Sequence, residues 1–274
     1  MKKILFATTA LVATAGVAAA EISFSGSANF GATYDGDNTA IENEIDFNIE
    51  GTGETDGGVS FGASLDIDGG FDTEEATQDS QAEVSSPEVF VSVAGLTVTV
   101  GSSDAANDNE GLSDIGFDGL GVDDVAEISG NGSTSVLVEY SLGDIAVSAS
   151  VETGSVAGDD WALGATGSFG DISFAAGYGE ADKEDEYNLY VGYSMGAIAV
   201  GVQYSETDDN TGYGLQASYT QGDLTVTGLF ASNDNDDAYG IGASYSLGGG
   251  AAVAGGIAEV ADETVAELGM TFSF

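Results

Sequence analysis

From Glu21 to Phe274 the chain alternates apolar and polar residues with a period of two, and no stretch carries a sustained helical period. Successive side chains of a strand point to opposite faces, so the pattern predicts strands with one apolar and one polar face. The first places Ile22, Phe24, Ala28, Phe30, Ala32 and Tyr34 against Ser23, Ser25, Ser27, Asn29 and Thr33. The second sets Ile45, Phe47 and Ile49 against Glu44, Asp46, Asn48 and Glu50. The third sets Val59, Phe61, Ala63, Leu65 and Ile67 against Ser60, Ser64, Asp66 and Asp68. The last, Val265 to Phe274, sets Leu268, Met270, Phe272 and Phe274 against Glu267, Gly269, Thr271 and Ser273.

Between these lie a hairpin, Glu88 to Val93 and Leu96 to Gly101, and strand pairs at 134–142/145–152, 161–169/172–179, 187–195/198–205, 212–220/224–231 and 238–247/251–259, which makes sixteen strands. The tight turns are rich in Gly and Asp (Ala94-Gly95, Gly143-Asp144, Gly170-Asp171, Gly222-Asp223), as two-residue hairpins require. Pro87, the only proline, is expected just before the fourth strand, where no ladder hydrogen bond is lost. The other links, such as Glu180 to Glu186, Glu206 to Thr211 and Asn233 to Asp237, read as longer and more acidic. Residues 102–133 exceed every other link. They carry Leu112, Ile115, Phe117, Leu120, Val122, Val125 and Ile128, which predicts a packed loop.

Alternation suits a water-soluble sandwich as well as a membrane barrel; the two differ in which face meets water. Three features favour the barrel. A last strand ending on an aromatic has a reason to be ordered if it pairs with the first and leaves no edge. Short turns on one rim and longer links on the other are the habit of membrane barrels, and strands of ~9–11 residues cross a bilayer when tilted. Aromatics also gather at strand ends. Tyr34, Tyr178, Tyr187, Tyr204, Tyr213 and Tyr239 lie beside the longer links, and Tyr140, Phe169, Tyr193 and Phe274 beside the tight turns, as interfacial girdles do.

Residues 1–20 read as a cleaved secretory signal: Lys2 and Lys3, an apolar run from Ile4 to Val17, and Ala18-Ala19-Ala20 at the cut. The run is too short for a spanning helix of ~20 residues. Its removal leaves residues 21–274 as a single barrel domain in which Lys183 is the only Lys or Arg against 47 acidic residues. Such a chain does not bind nucleic acid by phosphate contacts, and its natural small partners are cations. Its 42% hydrophobic content and regular alternation exclude disorder. With no cysteine and no histidine there are no disulfides, no Cys/His zinc sites and no Ser-His-Asp or Cys-His catalytic groups. Paired carboxylates can hydrolyse glycosides, but carboxylates are too abundant here for a pair to be a signal, so no enzyme is expected.

Several segments together resemble the outer-membrane general diffusion porins of the alphaproteobacterial type. They are the opening Glu21-Ile-Ser-Phe-Ser-Gly, the hairpin from Glu88 through Ala94-Gly95 to Gly101, the stretch Leu112-Ser-Asp-Ile-Gly-Phe-Asp-Gly-Leu-Gly-Val-Asp-Asp, and the terminal Phe274. The resemblance implies an all-β fold: a sixteen-stranded antiparallel transmembrane β-barrel, usually homotrimeric, whose long third loop (102–133) folds into the lumen and constricts it. It implies outer-membrane lipid and lipopolysaccharide as surroundings, and Phe274 as the sorting signal read by the outer-membrane assembly machinery. Such porins usually oppose an acidic loop with Arg or Lys on the wall. Here the loop carries Asp104, Asp108, Glu110, Asp114, Asp118, Asp123, Asp124 and Glu127, and the wall carries Glu44, Asp46, Glu50, Asp66 and Asp68. Like charges around water repel anions and concentrate cations, so a cation-preferring pore for small polar solutes is expected. No cofactor is required. Ca²⁺ is a possible ligand of Asp35-Gly-Asp37, Asp208-Asp209-Asn210 and Asp234-Asn235-Asp236-Asp237, none of which has EF-hand spacing. A secreted Ca²⁺-binding structural or adhesive β protein is the alternative, but its nonapeptide Gly/Asp repeat is absent.

Overall fold

The computed structural model describes residues 21–72, 83–109, 111–129, 133–153 and 160–274. The expected signal at 1–20, and Glu110, lie outside the described residues. Sixteen strands occur among them: β1 (Glu21–Tyr34), β2 (Thr39–Glu54), β3 (Ser60–Asp72), β4 (Glu83–Val93), β5 (Leu96–Asp104), β6 (Ser133–Leu142), β7 (Ile145–Val151) and β8 (Trp161–Phe169). The second half comprises β9 (Ile172–Ala181), β10 (Glu184–Met195), β11 (Ile198–Glu206), β12 (Thr211–Gln221), β13 (Leu224–Ser232), β14 (Asp237–Gly248), β15 (Ala251–Val260) and β16 (Glu263–Ser273). Each pairs antiparallel with its sequence neighbours, and β1 pairs with β16, so the sheet closes. Closure satisfies the backbone of every strand, which is the condition for crossing lipid without helices.

The apolar face of each strand is the outer one. Phe24, Ile45, Phe61, Val89, Leu163, Leu189, Leu215, Ile241 and Leu268 are all exposed on it, a belt that is unfavourable in water and at home in hydrocarbon. The buried apolar side chains lie on the opposite side. Leu112, Ile115, Leu120, Val122, Val125 and Ala126, all from the long loop, pack on Ala175, Tyr190, Leu229, Ala231, Ala238 and Ala258 of the inner wall. The core of this protein is therefore a loop packed inside a barrel.

Two expectations about local structure are corrected. Pro87 sits within β4, which begins at Glu83; the register against β3 shifts between Ser64 and Asp66, and Ser86 has φ 47°. A bulge accommodates the missing N–H as well as a strand start does. The link expected over Glu180 to Glu186 is a two-residue hairpin, because β9 continues to Ala181 and β10 resumes at Glu184. Asp182 and Lys183 both take positive φ (53° and 74°), as do Ala261 and Asp262 (49° and 67°) between β15 and β16, the conformation of type I′ hairpins. On that rim the β9–β10 and β15–β16 turns are therefore as tight as those of the opposite rim, while the β11–β12 and β13–β14 links stay longer.

Phe274 closes the seam. Its N–H donates to the Gly26 carbonyl (3.0 Å), its carbonyl accepts from the Gly26 N–H (2.9 Å), and its ring lies 5.5 Å from that of Phe47. Deleting Phe274 removes both bonds and the ring contact, about 2–4 kcal/mol together. The expected result is a lower unfolding temperature in detergent, read as earlier loss of the compact band on heated gels; an unchanged temperature overturns it.

Candidate functional site

The long loop follows the inner wall through hydrogen bonds that fix its path. At its start the Ala106 N–H donates to Ser150 Oγ of β7 (2.9 Å), and its carbonyl accepts from Ser148 Oγ (3.3 Å). Asn107 donates to Glu186 (3.0 Å) and its carbonyl accepts from Asn188 (2.6 Å), both on β10. The Ser113 N–H donates to Gln216 of β12 (2.8 Å), which itself donates to the Tyr190 hydroxyl (3.1 Å). On the return, the Ala126 carbonyl accepts from Ser205 (2.7 Å) and the Val125 carbonyl from Asn233 (2.9 Å). Inward glycines make room: a Cβ at Gly214 would lie 2.2 Å from Leu112, and one at Gly240 would lie 2.6 Å from Ile115.

The tip of the loop lies against β16 and β1. One Glu267 carboxyl oxygen accepts the N–H groups of Phe117 (2.6 Å), Asp118 (3.3 Å) and Gly119 (3.2 Å). Asn29 of β1 donates to Asp118 Oδ1 (2.8 Å) and, more distantly, to Glu44 Oε2 on β2 (3.4 Å). Loop and wall thus approach each other through Asn29, with a carboxylate on either side of it.

From Glu44 an acidic ladder runs across β2 and β3. Asp46 and Asp68 are directly opposite each other, as are Asn48 and Asp66 and, at the far end, Glu50 and Ser64. Like charges facing each other destabilise a strand pair, and hydroxyl and amide donors offset that. Ser27 donates to Asp46 (3.0 Å), Ser85 donates to Asp68, and Asn48 donates to Asp66 (2.7 Å). These residues share the inward face, since Ile45 and Phe47 between them are exposed outward.

The loop carboxylates divide by surroundings. Asp114, Asp118 and Asp124 are exposed, whereas Asp123 is only 5% exposed and Glu127 is half-buried. Glu127 accepts the N–H groups of Gly111 (3.2 Å) and Leu112 (3.0 Å), so it braces the loop from within. Burial pushes the Asp123 carboxyl up to about 8, and the neighbouring Asp114, to which it is hydrogen-bonded, adds to this. Asp104 is the last residue of β5, and Asp108 faces a cavity of about 540 Å³ beside Asp144, Thr166, Ser168 and Tyr190. Asn29, Gln216 and Glu267 were not singled out by sequence. The only signal for them is that they lie on polar strand faces rich in inward glycine, where something other than lipid must fit.

No group of three or more carboxylates is gathered to hold a metal ion among the described residues. The outer links use their acids and amides to cap turns. Asp35 accepts from the N–H groups of Asp37 (2.9 Å) and Asn38 (2.7 Å), which hold its carboxyl below the usual range, and Asn233 accepts from Asn235 and Asp236. Asp234 accepts from the Thr211 N–H (3.2 Å).

The sequence profile of the Gram-negative porins matches residues 7–264. The chain belongs to the Gram-negative porin family. Among solved structures, a quintuple mutant of the Rh. blastica porin is 27% identical with a TM-score of 0.81, covering 92% of this chain and 100% of that one. A triple mutant of the same porin, whose organism is Rhodopseudomonas blastica, is 25% identical with a TM-score of 0.75 over the same shares. No curated protein sequence matches the chain. Family and fold place this porin in the bacterial outer membrane as a channel.

Proposed function

We propose that this porin is a cation-preferring, water-filled channel for passive diffusion of small hydrophilic solutes and ions, and that its narrowest part lies between the loop tip and the β1–β3 wall. The observation that carries this reading is the meeting of Asp118 and Glu44 at Asn29, where the loop tip and the wall each bring a carboxylate to the edge of the opening. The only Lys or Arg beyond residue 20 is Lys183, on the β9–β10 turn, so no cation of this chain is available to line that gap. A ring of like charge around water concentrates counter-ions and excludes co-ions. Diffusion through such an opening needs no cofactor and no bond-making chemistry. Reversal potentials across a salt gradient in planar bilayers test the reading. Cation preference is expected, and anion preference or none sinks it.

The working unit in this reading is a homotrimer embedded among outer-membrane lipid and lipopolysaccharide, delivered by an assembly machinery that reads the strand ending in Phe274. Ca²⁺ acts on it as a counter-ion to the acidic segments Asp35–Asp37, Asp208–Asn210 and Asp234–Asp237. Single-channel conductance with Ca²⁺ added and chelated, at constant ionic strength, measures that contribution.

A further inference from the structure

The tip of the lumenal loop touches both strands of the closing seam at once. Glu267 on β16 accepts three consecutive N–H groups of the tip, and Asn29 on β1 donates to the Asp118 carboxylate. Between them the Phe117 ring, itself buried, lies on Gly31 of β1 and Gly269 of β16, which are cross-strand partners. A Cβ on Gly31 would stand 2.5 Å from the ring, and one on Gly269 would stand 2.6 Å from it. Gly116, with φ 116°, brings the tip so close that a Cβ there would fall 1.3 Å from the Glu267 oxygen. β1 pairs with β16 over eight positions, Ser27 to Tyr34, against fourteen with β2.

We infer that the lumenal loop is the clasp of the barrel seam: residues 117–119 dock in a receptor built jointly by Glu267, Gly269, Gly31 and Asn29, which exists only when β1 and β16 are paired. Docking of the loop and closure of the barrel then stabilise each other. Neither half of the receptor suffices, because the flat glycine floor is half on β1 and half on β16, and the acceptor for the N–H groups is on β16 alone. Glu267 is thereby a positioning residue for the channel as well as a seam residue, since it sets where Asp118 stands opposite Glu44. The chain meets its own last strand through a segment about 150 residues earlier, a contact that forms after the ends have met.

Hydrogen exchange of the full-length protein folded in detergent tests this, with single-channel recording in parallel. In Phe117→Ala and in Glu267→Ala, amides at 28–34 and 266–272 are expected to exchange at least about tenfold faster, while those of the β11–β12 pair stay as they were. Open-channel current noise is expected to rise in both variants as the tip comes free. Glu267→Gln keeps a carbonyl oxygen for the tip and is expected to recover most of the protection. Gln216→Ala frees the loop at Ser113, away from the seam, and is expected to disturb the current without speeding seam exchange. Unchanged seam exchange in Phe117→Ala overturns the clasp, and so does equal acceleration in Gln216→Ala. Should Glu267→Ala not fold, Phe117→Ala and Glu267→Gln decide the question by themselves.

Discussion

Lysine at both Glu44 and Asp118 is expected to turn the channel from cation to anion preference. The two carboxylates face each other across Asn29, which donates to each, so an ion passing the loop tip meets both. Glu44→Lys with Asp118→Lys changes the local charge by four units. In water at 0.1 M salt a unit charge about 7 Å from an ion contributes about 0.3 kcal/mol after screening. Four units shift a monovalent cation by about 1.2 kcal/mol and an anion by as much in the opposite sense, which changes their permeability ratio roughly 50-fold. Each single substitution, a change of two units, is expected to move the ratio about sevenfold. The reversal potential across a salt gradient reads all three channels. Raising the salt concentration must shrink the difference, because these charges face water and are screened. If the double variant keeps the wild-type ratio, ions do not pass close to Glu44 and Asp118.

The sixteen strands were legible because side-chain alternation is local: residues 22–34 or 265–274 declare their two faces without reference to any partner. What the pattern lacked was information about neighbours. Pro87 looked like the edge of a strand because a bulge is a property of two strands, visible only when β3 supplies the count on the other side. Asp182-Lys183 carries neither Gly nor Asn, so its left-handed turn did not announce itself, and the hairpin around it read as a longer link. The acidic composition hid more than it revealed. Asp118, Asp123 and Glu127 are alike on a sequence line, yet one stands exposed opposite Glu44, one is buried against Asp114, and one holds the loop's own backbone. Glu267 was one member of a polar strand face with nothing to set it apart, and its role depends on Phe117, Asp118 and Gly119, about 150 residues earlier in the chain.

Asp123→Asn is expected to stabilise the folded porin at neutral and alkaline pH and to remove part of its dependence on pH. Asp123 sits between Val122 and Asp124 at the start of a turn, in which its carbonyl accepts the N–H groups of Ala126 (2.8 Å) and Glu127 (3.0 Å). Its Oδ1 is buried without a hydrogen-bond partner, and its carboxyl is hydrogen-bonded to that of Asp114. Two carboxyl groups share a hydrogen bond only if one keeps a proton, and burial together with Asp114 keeps it on Asp123 up to a pH of about 8. The unfolded chain gives that proton up near 3.8. Between these values the folded state holds more protons than the unfolded one, so stability falls as pH rises, by at most about 1.4 kcal/mol per unit for one proton. Above about 8 both states are ionised and the loss is complete. Asparagine keeps an N–H donor for Asp114 and never ionises, so its stability is free of this contribution. Unfolding midpoints in detergent between pH 5 and 9 compare the two proteins: the gap is expected to widen in favour of Asp123→Asn up to about pH 8 and then level off. Parallel curves across that range, with no widening, count against a proton held on Asp123. Because Val122 and Ala126 beside it are fully buried in the loop's core, ionisation at this one position is expected to loosen the packing around it, and open-channel noise in the wild type is expected to rise as the pH passes about 8.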